Sequence, residues 1–233
     1  MTTRSGRATG RTSRRGDRSK SERTRARILD ATAAVLARNG YAGTRLSDIA
    51  EQAGVQAPAI YYYYPSRERL VEEVVITGLV RHLQHVRDAL AALPEDTPAL
   101  DRIGCAVEAH LQVILRVSDY ATAAIRNTSQ LPPDIRARQL DEQHRYGDIW
   151  RELLEAAQAA GDLHPDLDLS ASRMLVLGAL NWACEWWNPR QGSLASVVST
   201  AQLLVRHGLA GPPARTPTRT SVTPAAAPPA PTA

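Results

Sequence analysis

The 233-residue chain has no phenylalanine and only two cysteines and two methionines. Its large apolar volume must therefore come from Leu, Ile, Val, four tryptophans and seven tyrosines. Cys105 and Cys184 lie far apart with no partner at ligand spacing. This argues against a disulfide scaffold or a zinc motif and makes a reducing cytoplasm the expected compartment. No run of eighteen uncharged apolar residues occurs, so neither a membrane span nor a membrane partner is expected. The N-terminus lacks the apolar segment of a secretory signal and is too poor in apolar residues for an amphipathic transit peptide. There is no His pair at metal spacing, no phosphate-cradling glycine loop and no nucleophile elbow. No metal, cofactor or catalytic residue is therefore expected. An enzyme would have to take its base from histidines such as His82 and His85, and a carboxylate from Glu108 or Asp119.

Acidic charge is scarce at one end. Residues 1–27 hold ten basic side chains against Asp17 and Glu22, a net +8 in a chain whose total is +4, so the other 206 residues carry −4. A basic arm ahead of a mildly acidic body suits the phosphate backbone of double-stranded DNA, which it would bind with counterion release. Residues 1–20 read as a disordered basic arm. Residues 211–233, rich in Pro, Ala and Thr, read as a disordered tail with too little apolar surface to offset its ordering entropy.

Between these ends the apolar period is helical. Ser21 stands where an N-cap would, Ile28, Leu29, Thr32, Val35 and Leu36 form one stripe, and Gly40 ends it. Arg23, Arg25 and Arg27 then occupy the first turns, where the helix dipole would favour a nearby anion. Thr44 is expected to cap a two-turn helix through Ala53, which Gly54 ends. Gln56 to about Tyr63 forms a second short helix with Pro58 in its first turn. Pro65 stops that helix, and Ser66 caps the next. Two short helices about a glycine turn, packed on a longer first helix, match a helix-turn-helix.

The segment Tyr61–Tyr64 resolves in this frame. Ile60 and Tyr64 are four apart and share the packed face, with Tyr61 or Tyr63 contributing, while Tyr62 lies further round and is free to reach a phosphate. Gln56, Ala57, Ala59 and Tyr61 are the groove-facing candidates. Gln56 can bond an adenine edge or a phosphate, and the alanines can contact thymine methyl groups. Thr44, Arg45, Tyr62 and Arg67 are candidate phosphate clamps.

Longer helices follow: Arg67 to Leu93, Ala99 to about Val117, Tyr120 to Gln130, Asp134 to Ala160, Leu169 to Trp187 and Leu194 to Gly208. No useful stretch alternates with period two. The expectation is an all-α chain of about nine helices, with a three-helix helix-turn-helix domain over residues 21–66 and a helical effector-binding and dimerisation domain over 67–210.

Residues 24–72 resemble the DNA-binding domain of the TetR family of bacterial transcriptional regulators. The resemblance rests on Ile28 to Ala34, Leu36, Gly40, Thr44, Ile49, Ala50, Gly54, Val55, Ile60, Tyr61, Tyr63, Pro65, Ser66, Glu68 and Leu70. It implies that Thr44, Arg45, Gln56, Ala57, Ala59, Tyr61, Tyr62 and Arg67 face DNA. This chain has Gln56 where the family usually has Ser or Thr, Tyr64 for Phe, and Arg67 for Lys. The resemblance also implies a homodimer formed by the last two helices, with Met174, Leu177, Val198 and Leu203 as interface candidates. Asn181-Trp182, followed by Trp186-Trp187 and Pro189-Arg190, is similar to a TetR subgroup controlling fatty-acid, steroid or acyl-thioester catabolism. That implies a lipid-like or acyl-coenzyme A effector, with Trp150, Asn181, Trp182, Trp186 and Arg126 as pocket candidates and Arg81, Arg116 and Arg145 as further phosphate partners. The expected function is a repressor released from a palindromic operator by its effector. The rival readings are an architectural DNA binder without a ligand and, more remotely, an enzyme.

Overall fold

The computed structural model describes residues 10–117, 119–127 and 130–211, with side chains from 20–115, 119–127 and 130–211. Residues 1–9 of the expected arm and all of the tail but Gly211 lie outside the described residues, while residues 10–20, expected to be disordered, are helical. Nine α-helices follow in order: α1 (Gly10–Gly43), α2 (Leu46–Ala53), α3 (Ala57–Tyr63), α4 (Arg67–Ala91), α5 (Ala99–Gln112), α6 (Asp119–Arg126), α7 (Pro133–Ala159), α8 (Leu169–Trp186) and α9 (Leu194–Leu209). A π-helical turn, Val113–Val117, follows α5. The described residues are all-α; a single bridge, Leu163 to Ala210, ties the α7–α8 loop to the end of α9.

Helix α1 starts at Gly10, eleven residues before the expected cap at Ser21. Arg23, Arg25 and Arg27 therefore lie inside the helix, not at its positive end. Gly40, at φ 70° and ψ 174°, breaks the helical backbone as expected of a glycine stop. Gly54 adopts φ 62° and ψ 42° and closes α2 with a Schellman pair: Gly54 N–H to Glu51 O at 3.1 Å and Val55 N–H to Ala50 O at 3.0 Å. Arg27 covers the same helix end by donating to the Ala53 and Gly54 carbonyls. Its cation meets the negative pole of α2, so Arg27 is satisfied within the chain. The Ser66 hydroxyl caps α4 by accepting from Arg69 N–H at 3.2 Å.

Two hydrophobic cores form, and α4 runs through both. The first gathers Ile28, Val35 and Leu36 of α1, Ile49 of α2, Ile60 of α3, Leu70, Val71, Val74 and Val75 of α4, and Tyr120 and Ala124 of α6. The second gathers Leu83, Val86 and Leu90 of α4 with α5, α7, α8 and α9. The reading head thus recruits α6 and the first half of α4. At the crossing, a Cβ on Gly78 would stand 2.5 Å from the Tyr120 carbonyl oxygen, so only glycine lets α6 lie this close. Tyr120 donates its hydroxyl to Asp30 at 2.6 Å, and Asn127 accepts Tyr41 N–H at 2.7 Å. Both bonds fasten α6 to α1.

Candidate DNA-binding face and effector body

Helix α3 has seven residues, and its two sides differ sharply. Ile60 and Tyr64 are buried in the head, Tyr63 is half-buried, and Tyr61 and Tyr62 are 57% and 82% exposed. Tyr62 packs edge-on against Tyr63 at 5.1 Å, which limits how its phenol can swing. Burial and then the neighbouring Glu73 carboxylate raise the Tyr64 phenol to about 12; its hydroxyl lies 3.5 Å from Glu73. The hydroxyl that replaces the family's apolar edge therefore has a partner. Gln56 occupies the N-cap position with an extended backbone, but its side chain caps nothing and is exposed. Arg45 is exposed at the N-cap of α2, while Ala57 and Ala59 are half-buried. Arg45, Gln56, Tyr61 and Tyr62 all remain available to an external partner.

Two expected phosphate clamps are used inside the protein. Thr44 is 2% exposed, and its hydroxyl donates to Gly40 O at 2.7 Å; Arg45, not Thr44, occupies the α2 cap. Arg67 donates through Nε to Thr44 O at 2.7 Å and through Nη2 to Tyr41 O, with its guanidinium 4.3 Å from the Tyr41 ring centroid. Both carbonyls lie at the α1–α2 turn, where Tyr41 O also accepts Thr44 N–H at 3.4 Å, and a forked guanidinium can bridge the two. Arg67 thus braces the head. Two other arginines of the head are also engaged: Arg69 pairs with Glu72, and Arg25 pairs with Glu73 at 2.6 Å.

The residues expected to line one effector pocket are separated by the fold. Trp150 is buried in the second core, whereas Trp182 and Trp186 are 65% and 55% exposed on the outer face of α8. They line a groove of about 430 Å³ with Val197, Ala201 and Leu204 of α9. Leu175 and Leu204 extend the same apolar surface. Of the expected interface residues, Met174 and Leu203 are exposed, Leu177 is half-buried, and Val198 is buried in its own chain. Val198 therefore belongs to the monomer core, and the two tryptophans stand on an outer face apart from Trp150. Arg126 pairs with Glu185 at 2.6 Å and with the Cys184 carbonyl at 2.7 Å, which fastens α6 to α8. Arg81 lies 4.7 Å from the Tyr120 ring and Arg145 pairs with Glu142. The Arg116 side chain is outside the described residues.

Trp150 and Asn181 point instead to a polar cluster that the sequence reading missed. His82 of α4, His110 of α5 and Tyr146 of α7 stack with ring centroids 4.6 to 5.8 Å apart, and the Trp150 ring stands edge-on to His110 at 6.2 Å. His110 Nδ1 and the Tyr146 hydroxyl share a 2.7 Å hydrogen bond. Burial, and then the nearby His85, lower His82 to about 4. Burial, and then His82, lower His110 well below its ordinary value. The rings are thus neutral at neutral pH. A signal was present: His82 falls on the α4 stripe of Val75, Leu79 and Val86, where an apolar residue would be usual.

Among the described residues, no group of three or more His, Cys, Asp or Glu side chains could hold a metal, and no helix is long and apolar enough to cross a membrane. Burial raises both cysteine thiols.

Residues 28–74 match the family model "Bacterial regulatory proteins, tetR family", and residues 96–203 match "Tetracyclin repressor-like, C-terminal domain". The chain is 29% identical over 171 residues to the probable HTH-type transcriptional regulator ArpR of Pseudomonas putida, covering 71% of this chain and 72% of that protein. Its fold is similar to that of the ketosteroid transcriptional regulator KstR2 of Mycobacterium tuberculosis, with a TM-score of 0.70 at 21% identity over 81% of this chain and 95% of that one. It is also similar to AibR in complex with isovaleryl coenzyme A and operator DNA, with a TM-score of 0.70 at 18% identity over 77% and 96% of the two chains. Two models of one family, falling on the reading head and on the helical body, agree with the head and body defined by the packing: the chain belongs to the TetR family of transcriptional regulators.

Proposed function

We propose that the protein is a homodimeric, ligand-responsive regulator that inserts α3 of each protomer into successive major grooves of a near-palindromic operator. The carrying observation is the two-sidedness of α3, whose inner residues are buried in the head while Tyr61 and Tyr62 stand in solvent beside the exposed Gln56 and Arg45. Gln56 and Tyr61 meet base edges or the flanking backbone, and Arg45 and Tyr62 grip phosphates. Ala57 and Ala59 keep the helix thin enough for close approach. Thr44 and Arg67 act indirectly by holding the turn that orients Arg45.

The second copy covers the apolar surface of α8 and α9, where Trp182, Trp186, Leu175 and Leu204 are exposed in the single chain. The dimer fixes the distance between its two reading helices. An effector received among α4, α5, α7 and α8 shifts α4, whose first half belongs to the head core and whose second half belongs to the body core. Release follows only if the effector binds one head spacing better than the other. A lipid-like or acyl-thioester effector is favoured by the similar structures, since KstR2 is named for ketosteroids and AibR was solved with isovaleryl coenzyme A.

A duplex selected from a random pool with the purified protein supplies the test. The combined Arg45→Ala, Gln56→Ala and Tyr62→Ala substitution touches exposed side chains only, so folding should survive and affinity should fall by at least tenfold. Unchanged affinity would remove α3 as the reader. Trp182→Glu should yield a folded monomer by light scattering, with operator binding lost in parallel; a persistent dimer would remove α8–α9 as the interface.

A further inference from the structure

The ring cluster holds three buried polar atoms that lack hydrogen bonds: His82 Nε2, His110 Nε2 and Trp150 Nε1. Two other buried nitrogens share that condition elsewhere, but Arg173 still bonds Gly147 O through another nitrogen at 3.4 Å and Trp187 stands alone at the end of α8. In the cluster the unmet atoms belong to rings that neighbour one another, His82 with His110 at 4.6 Å and His110 with Trp150 at 6.2 Å. The Trp150 N–H lies near enough to the Tyr146 hydroxyl to favour its ionised form, yet no bond of ordinary geometry forms. Asn181 likewise lies near enough to the His110 imidazole to favour its charged form. Native proteins pair nearly all buried polar atoms, so three unmet ones in contact imply a missing partner.

The donor set constrains that partner. Trp150 Nε1 can only donate, and a neutral imidazole offers one donor and one acceptor. Accepting the Tyr146 hydroxyl proton at Nδ1 leaves His110 with a donor at Nε2. No Asp, Glu, Lys or Arg is among the groups that shift His82, His110 or Tyr146. A buried anion would therefore meet no counter-charge, and its desolvation would go uncompensated. Tyr146 is half-buried while His82, His110 and Trp150 are buried, so the Tyr146 side is the cluster's least covered.

Resting on the ligand-responsive reading above, we propose that this cluster recognises one uncharged carbonyl or hydroxyl oxygen of a mainly apolar effector, and that any charged part of the effector stays outside it. The oxygen accepts from Trp150 Nε1–H and His110 Nε2–H, and His82 takes whichever tautomer completes the set. A thioester carbonyl satisfies this requirement; a free carboxylate does not.

Equilibrium dialysis of the full-length protein without DNA against three matched probes tests the assignment: 2-acetylnaphthalene, 2-naphthoate and naphthalene at pH 7.5. The ketone should bind at least tenfold more tightly than either of the others. Trp150→Phe and His82→Leu should each weaken ketone binding at least fivefold while leaving naphthalene within twofold, and the unliganded melting temperature should hold or rise because an unmet polar atom has gone. Equal binding of ketone and naphthalene, naphthoate binding as tight as the ketone, or ketone binding unchanged in both variants would each overturn the assignment. A marked fall in melting temperature in both variants would overturn it too, by making the cluster a structural network. No operator enters this experiment, so its failure leaves DNA reading and dimerisation standing, and their failure leaves it intact.

Discussion

Two polar clusters lie on α4 about ten residues, or ~15 Å, apart along the helix, and they are built on opposite plans. At the head end, Glu72 is buried and accepts from Arg69 through one oxygen and from Arg138 of α7 through the other. Its neighbour Glu73 takes Arg25 of α1 and approaches the Tyr64 hydroxyl. Charge there is abundant and paired, and it joins α1, α4 and α7 beside a groove of about 530 Å³. At the body end, His82 and its ring neighbours carry no charge at neutral pH, and three of their nitrogens are unmet. A paired buried ion is costly to disturb and suits a joint. An unpaired neutral group is costly to leave as it is and suits a receptor. Gly78 lies between the two clusters, where α6 presses on α4.

The contrast can be broken at three places. Gly78→Ala should have the largest effect. Its methyl would stand 2.5 Å from backbone, so α6 must move away from α4, at about 3 kcal/mol of stability. Chemical denaturation reads that loss, and a loss under 1 kcal/mol would mean the two helices are not rigidly seated. Glu72→Gln should follow, with about 2 kcal/mol lost because Arg69 and Arg138 keep their charge but lose its complement. The discount from a fully buried pair reflects arginines that are 57% and 60% exposed. The same variant should bind operator but respond less to any effector, which anisotropy titration would measure. A full response in Glu72→Gln would free α4 from the role of messenger.

The smallest effect comes from acid. The folded protein holds His82 at about 4, below the ordinary 6.5 of the unfolded chain, so the unfolded state binds the extra proton first. This contribution to stability is present above pH 6.5 and declines as pH falls toward 4. His85, His110, Tyr146, Trp150 and Asn181 are the polar groups around these rings, with Gln112 beside His85 at 3.4 Å. Lowering the pH from 7 to 5 should cost about 1 to 2 kcal/mol through His82 alone, and His82→Leu should flatten that part of the stability profile. An identical slope in the variant would place the sensitivity elsewhere.

Much of the head is legible along the chain because its punctuation is local. Gly54, Pro58 and Ser66 each set one turn or helix end through their own backbone or hydroxyl. The inward face of α3 follows from the spacing of Ile60 and Tyr64. Arg67 is not legible in this way. A basic residue at the start of a helix near DNA suits a phosphate, but the carbonyls of Tyr41 and Thr44 come within reach only after α1 and α4 have packed. Arg27 and the α2 terminus repeat the same lesson. The tryptophans show the limit most plainly. Trp150, Trp182 and Trp186 all sit on apolar helix faces, yet the first meets His110 in the interior and the others face outward.

The sequence alone determined the helices, the stops at Gly54 and Pro65, the cap at Ser66, the glycine-hinged pair that presents α3, and the membership of the chain in one family of regulators. Those features depend on contacts within a turn or two, and period and capping chemistry encode them directly. Only the tertiary structure decided which apolar face meets which, that α6 belongs to the head, and that two histidines and a tyrosine from three helices share one buried site. An amphipathic stripe states that a face will be covered. It does not carry the identity of the surface that covers it, because that depends on the packing of every other helix.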